Sequence, residues 1–209
     1  MKNISAKAWM IVFLVGLPGA AHAEDFKPYI GLGTGIYSIG FKLSDPLTSS
    51  MSQRKQTWGG FVKAGIDVLD YFGAEVRLGS TGNPSTSWGA GLPVGYGAVT
   101  TVTSTVSSQI NYFFSYLGKL QYPFNDSFKV YGLAGGTMAK YTASWSATGS
   151  ENATVTGFSY GGGLEYAFAN RYSLGLEWME YLKDVTISSA GSTDTGSFRG
   201  ISATLNMAF

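Results

Sequence analysis

From about residue 27 to the end of the chain, apolar side chains return at every second position, and nowhere at helical spacing. Eight such segments run roughly over 27–41, 55–68, 72–80, 107–122, 128–142, 155–168, 171–183 and 197–209. This is the period of β-strands with one apolar face. The second segment places Trp58, Val62, Ala64, Ile66 and Val68 on one parity, and the third Phe72, Ala74, Val76 and Leu78. The fourth gives Ile110, Tyr112, Phe114, Tyr116, Leu120 and Tyr122, the sixth Phe158, Tyr160, Leu164, Tyr166 and Phe168, and the seventh Tyr172, Leu174, Leu176 and Trp178. Glycines dilute both faces of the fifth, where Tyr131, Leu133, Ala139 and Tyr141 read as the apolar side.

The opposite parity carries Lys63, Asp67, Glu75, Arg77, Lys119, Glu165 and Glu177, with Asn111, Ser115 and Ser173. Charges in mid-strand, interleaved with aromatic rows, describe a sheet that is apolar outside and polar inside. Short connections at 69–71, 124–127 and 169–170 alternate with long Ser/Thr/Gly-rich ones near 43–54, 81–106, 143–154 and 184–196. Asn and Asp suit tight turns because they tolerate the left-handed region and bond their own backbone. The pattern predicts an all-β fold: a closed antiparallel up-and-down transmembrane β-barrel of eight strands, with turns on the periplasmic rim and loops outside. The 81–106 segment is long enough to add a hairpin.

The final segment sets Ile201, Ala203, Leu205, Met207 and Phe209 on one face. Lipid requires every backbone donor and acceptor to be paired within the protein, so this strand must close against the first, near "YIGLGTGIYS". Phe209 is then expected in the periplasmic aromatic girdle with Phe72, Tyr122, Phe168 and Tyr172.

The start of the chain reads as a secretory signal peptide over residues 1–23, with Lys2 and Lys7, an apolar run from Met10 to Leu17, and an Ala21-His22-Ala23 cleavage site. The barrel domain then spans 24–209. Loss of Lys2 and Lys7 leaves twelve basic residues against 13 acidic ones, so no bulk charge attracts nucleic acid. There is no cysteine, and the one histidine, His22, leaves with the leader. Histidine- or thiol-based catalysis and imidazole or thiolate metal sites are therefore excluded, and no enzyme activity or cofactor is expected. The stretch "GLGTGIYSIG" has Ile36 where a dinucleotide fingerprint needs its third glycine, so it reads as a glycine-rich strand.

With these features the chain resembles the small eight-stranded outer-membrane β-barrels typified by the OmpA transmembrane domain and OmpX. The resemblance covers about Phe26 to Phe209 and rests on architecture. It implies a monomer integral to the bacterial outer membrane. It also implies that Ile201, Ala203, Leu205, Met207 and Phe209 form the C-terminal signal by which the barrel-assembly machinery recognises its clients.

Three functional readings follow. The first is a structural and surface-interaction scaffold, its loops contacting lipopolysaccharide or external ligands, since function on such scaffolds sits in loops. The second is a narrow channel or lateral pathway for small or hydrophobic molecules, although an eight-stranded interior is only wide enough to be filled by side chains. The third is a soluble lipocalin-like barrel with the parities exchanged, which would bury the charged row. Under the first, Lys63, Asp67, Glu75, Arg77, Lys119, Glu165 and Glu177 form a charge network plugging the lumen, and Glu75, Glu165 and Glu177 find space opposite Gly65, Gly175 and Gly163. Lys42, Arg54, Lys55, Lys183 and Arg199 form a basic crescent on the outer rim. Arg199 is ten residues above Phe209, about 25 Å at a strand tilt near 40°, the level of the lipopolysaccharide phosphates.

Overall fold

The computed structural model describes residues 26–44, 50–88, 93–95, 98–99, 104–145, 149–169, 171–189 and 192–209. The leader expected over 1–23 and the first two residues of the barrel domain lie outside the described residues. The elements, in chain order, are β1 (Phe26–Ser44), β2 (Ser50–Val68), β3 (Phe72–Thr81), β4 (Ser85–Trp88), β5 (Pro93–Gly95), β6 (Ala98–Val99), β7 (Ser104–Pro123), β8 (Phe128–Trp145), β9 (Gly149–Ala169), β10 (Tyr172–Ser189) and β11 (Ser192–Ala208). Hydrogen bonding runs β3-β2-β1-β11-β10-β9-β8-β7, and β3 also pairs with β7, which closes the ring. Eight long antiparallel strands thus enclose one interior.

Closure between the two ends of the sequence runs from Tyr29 opposite Ala208 to Lys42 opposite Thr195. The Phe209 amide donates to the Pro28 carbonyl at 3.1 Å, so the last residue is fixed at the short-turn rim. Its side chain is 66 % exposed, and Trp58, Phe158 and Leu120 are 68, 66 and 63 % exposed, values that only a lipid solvent makes favourable for such a wall of large apolar groups. The charged parity is the buried one. This rules out the lipocalin-like arrangement.

At the turn between β2 and β3 the residue with positive φ is Leu69, at 57°, rather than the neighbouring Asp70. Between β7 and β8 the Asn125 Oδ1 accepts from the amides of Ser127 and Phe128 at 2.9 and 2.8 Å, the side-chain turn expected of Asn.

Three expectations are corrected. Ile110 is fully buried and Asn111 exposed, because β7 carries a bulge between Ile110 and Tyr112 that inverts the parity above it. In β8, Tyr131, Leu133, Ala139 and Tyr141 face the interior, each 5 % exposed or less. Gly132, Ala134 and Met138 face lipid instead, so the large residues of that strand fill the barrel. Third, three of the long connections are mostly strand. Pairing persists to Ser44 opposite Ser50, Trp145 opposite Gly149 and Ser189 opposite Ser192. These stretches mix Ser and Thr with apolar residues such as Leu43, Met51 and Ile187 without alternation, so no period was visible. The 81–106 segment does hold an added hairpin, β5 with β6, while β4 continues the wall along β7.

Toward the long connections the wall divides. The β9–β10 ladder stops at Tyr160 opposite Glu180, and the β2–β3 ladder at Gly59 opposite Thr81. Beyond these points β10-β11-β1-β2 and β4-β7-β8-β9 continue as two separate sheets.

Candidate functional site

All seven charged residues singled out for the lumen are buried, at 1 to 7 % exposure. The ladders set Glu75 opposite Gly65, Glu165 opposite Gly175 and Glu177 opposite Gly163. The space left by two of these glycines is taken by tyrosine rings rather than by the acids. A Cβ at Gly65 would meet the Tyr29 ring, and one at Gly163 the Tyr131 hydroxyl at 2.7 Å. Lying over those glycines, Tyr29 donates to Glu75 Oε2 at 2.7 Å and Tyr131 to Glu177 Oε2 at 3.1 Å.

Arg77 is the centre of the network and is 1 % exposed. Its Nη1 and Nη2 fork onto the two oxygens of Glu177, the second at 2.6 Å, and its Nε donates to Glu75. Nη1 also donates to the Tyr181 hydroxyl at 3.1 Å. Planar two-point pairing of this kind matches guanidinium to carboxylate in both charge and geometry. Lys63 adds a second cation to Glu75 at 3.2 Å.

Nearer the short turns a second chain of charges crosses the barrel. Lys119 meets Asp67 at 2.9 Å, while Lys129 meets Asp67 at 3.2 Å and Glu165 at 3.0 Å. Ser173 donates to Glu165 at 2.9 Å and Asn206 to its other oxygen at 3.2 Å. Sequence reasoning missed Lys129, whose parity became readable only once β8 was turned round.

The upper interior is apolar. Tyr37, Phe113, Tyr181 and Phe198 pack with ring centroids 4.8 to 6.4 Å apart, and Phe61 joins them against the Arg77 guanidinium, whose Cζ lies 4.8 Å from the ring centroid. Ile39, Ile110, Met179 and Leu182 complete the layer. The interior expected to be polar throughout is therefore polar mainly below Phe61, with Thr81 a buried polar residue above it. An aromatic layer in contact with the Arg77 network leaves the centre filled with side chains.

On the outer rim, β10, β11, β1 and β2 are consecutive, so the basic residues do fall on one sector. The outward row Trp178-Ile201-Ile36-Trp58 is followed, one outward position higher, by Glu180-Arg199-Ser38-Gln56. The boundary between apolar and polar wall lies between those rows. Arg54, opposite Gly40, is one outward position further up, and Lys42, opposite Ser52 and Thr195, one beyond that. Lys183 is exposed in the irregular stretch of β10 around Asp184, whose φ is 48°. Lys55 differs: it stands opposite Ile39, on the parity of Phe61 and Lys63, so it does not share the lipid-side face. Glu180, absent from the sequence reading, stands beside Arg199 in the same row.

Among the described residues no group of three or more His, Cys, Asp and Glu side chains could hold a metal ion.

The sequence profile of the outer membrane protein beta-barrel domain matches residues 10–209. No curated protein matches the chain. Among solved structures, Neisserial surface protein A is 14 % identical, with 87 % of this chain and 97 % of that chain covered and a TM-score of 0.51. Ail, the attachment invasion locus protein of Yersinia pestis, solved in complex with the heparin analogue sucrose octasulfate, is 14 % identical over 86 % of this chain and 99 % of that chain, with a TM-score of 0.45. The outer membrane protease OmpT from Escherichia coli is 10 % identical over 92 % and 99 %, with a TM-score of 0.47. At such identities the likeness is one of fold. With a matching profile over nearly its whole length and a closed barrel faced with lipid-exposed aromatics, the chain belongs to the outer membrane protein beta-barrel domain family and is an integral protein of the outer membrane.

Proposed function

We propose that the protein is a plugged membrane anchor which displays interaction surface outside the cell and holds lipopolysaccharide with its basic sector. The observation that carries the first half is the fork of Arg77 onto Glu177, continued to Glu75 and capped by the aromatic layer. Ions crossing this interior would have to break buried charge pairs and then traverse an apolar section, each unfavourable by several kcal/mol. Planar-bilayer recordings of the purified protein are expected to show no stable open state. A steady, ion-selective conductance would replace this reading with that of a narrow channel.

What remains for function lies outside. The outer ends of the two sheets present strands rather than loose loops, and strands position side chains well for contact. The mature chain has neither histidine nor cysteine if it is cut after Ala23, which speaks against catalysis there.

For lipopolysaccharide, the support is Arg199, one outward position above Ile201 in the row that Trp178 and Trp58 flank, with Arg54 and Lys42 higher. Arginine presents a fork and lysine a point charge to phosphate. Replacing Arg54, Lys183 and Arg199 together by Gln is expected to lower thermal stability in lipopolysaccharide-containing bilayers while leaving it unchanged in zwitterionic lipid. Equal loss in both lipids would reduce these residues to ordinary rim charges.

The C-terminal residues Ile201, Ala203, Leu205, Met207 and Phe209 serve, on this reading, as the assembly signal as well as lipid-facing wall. Deleting Phe209 is expected to leave secretion intact and reduce the yield of folded barrel, measured by heat-modifiable migration on a gel. Normal folded yield would remove the signal role.

A further inference from the structure

From Gly149 to Ser159, β9 pairs with β8 alone, because its ladder to β10 ends at Tyr160 opposite Glu180. A strand in an antiparallel ladder turns alternate residues' N–H and C=O groups to each side, so half of the backbone groups over this stretch face the gap that β10 leaves. Ser159 spans the foot of the gap, its Oγ donating to the Tyr181 carbonyl at 2.6 Å. Next to it Leu182 and Val185 lie against Gly157, where a Cβ would meet each at 2.9 Å. Beyond that contact, among the described residues, no backbone pair joins the two strands.

Open sheet edges invite unwanted pairing, and chains blunt them with charge, irregularity or shortness. Division of the wall creates four such edges, of which three are blunted. The β2 edge carries Arg54 and Lys55, both exposed. β10 carries Lys183 and Asp184, shifts register twice between Glu180 and Val185, and holds Asp184 at a φ of 48°. β4 is only four residues long. β9 has none of these devices. Its ladder to β8 runs from Trp145 opposite Gly149 to Phe128 opposite Tyr166 without a register shift, and residues 149–159 contain no proline, lysine or arginine. Thr154, Val155 and Thr156 are β-branched, which favours the extended backbone.

Such an edge is complementary to another extended backbone. We propose that residues 149–157 of β9 are a docking edge for an extended peptide segment of an external protein, which adds a strand where β10 departs. This names a partner class for the external interaction surface proposed above and rests on that reading. The side chains constrain the occupant. Val155 is buried and Ala153 and Gly157 are half-buried, whereas Asn152, Thr154 and Thr156 are exposed. An added strand therefore sets alternate residues beside Val155, where small apolar side chains fit, and the others beside the threonines, where polar ones do. β10 cannot be the occupant, since its register shifts and left-handed Asp184 interrupt the extended run that pairing needs.

The probe is a soluble peptide, Lys-Thr-Val-Thr-Val-Thr-Val-Thr-Lys, and its control carries proline in place of the central Val and the Thr before it. Amide hydrogen exchange of the whole protein in lipid nanodiscs is followed residue by residue by NMR. In the free protein alternate amides over 150–157 are expected to exchange about tenfold faster than their neighbours. The probe is expected to slow them saturably by about tenfold and to leave 50–58 of β2 unchanged, and the control to do nothing. Thr154→Pro or Val155→Pro, whichever replaces the fast-exchanging amide, removes a gap-facing donor without cutting the β8 ladder, so protection of the neighbouring amides should be lost. Uniformly slow exchange in the free protein, no slowing by the probe, equal slowing by the control or at 50–58, or unchanged protection in the proline variant would overturn the proposal. Slowing that appears without peptide as protein concentration rises would give the edge to a second copy and overturn it as well. A steady conductance would remove the plugged anchor and leave the edge standing, so the two readings fail separately.

Discussion

Arg77→Met is expected to destabilise the barrel by about 3–5 kcal/mol, the usual consequence of removing one partner from a buried charge network. Methionine fills much of the volume, so the loss is electrostatic rather than a cavity effect. The two acids are left in different positions. Glu75 keeps Lys63 at 3.2 Å and the Tyr29 hydroxyl at 2.7 Å, whereas the oxygens of Glu177 retain only the Tyr131 hydroxyl at 3.1 Å among the side chains described. The double variant Arg77→Met/Glu177→Gln should therefore recover more than half of the loss, since the neutral amide still accepts from Tyr131. Urea unfolding in lipid vesicles, followed by tryptophan fluorescence, measures all three proteins. A double variant no more stable than the single one would mean that Glu177 is not the group left uncompensated, and a fully stable single variant would remove the network from the stability of the fold.

The lipid-facing half of this architecture was legible in the sequence because hydrocarbon selects strictly. A strand in a bilayer cannot present polar residues to hydrocarbon, so Trp58 to Val68 and Phe72 to Leu78 carry no polar residue on the outward parity. The interior is under a looser rule. It accepts a charge that finds a partner and equally an aromatic that finds a neighbour, so Tyr131 and Phe113 carry no sign of their direction. In β8 both faces are therefore compatible with either solvent, and the reading took its larger side chains for the lipid side. The bulge at Asn111 is a second limit: one extra residue inverts the parity of everything above it, and Ile110 read outward although it is fully buried. Of the rim, the sector was visible from strand order alone. That Lys55 stands on the inner parity and that Glu180 neighbours Arg199 required the register.

Glycine placement decides how that mixed interior fits, and it supports the second large expectation: Gly33→Val should abolish most folded barrel, and shortening Phe61 should restore it. A Cβ at Gly33 would overlap the Phe61 ring, meeting Cε2 at 2.7 Å and two other ring atoms more closely still. The ring cannot swing away freely. Arg77 lies over it with Cζ 4.8 Å from the centroid, and Phe113 packs edge-on at 6.4 Å. Overpacking a close-packed interior costs about 1–3 kcal/mol and sometimes more, and here the displaced ring would disturb the Arg77 pairs as well. Gly33→Val/Phe61→Ala exchanges one volume for the other, so its heat-modifiable band should return. Gly35 provides the contrast, two residues along the same strand. A Cβ there would meet the backbone of β11, the Ile201 carbonyl oxygen and the Ser202 Cα, the latter at 2.6 Å. No side-chain truncation can relieve that contact, so Gly35→Val should fail to fold in the wild-type and Phe61→Ala backgrounds alike. If Phe61→Ala rescued both variants, or neither, the two glycines would not be acting through the contacts that distinguish them: a ring at Gly33 and the closing strand at Gly35.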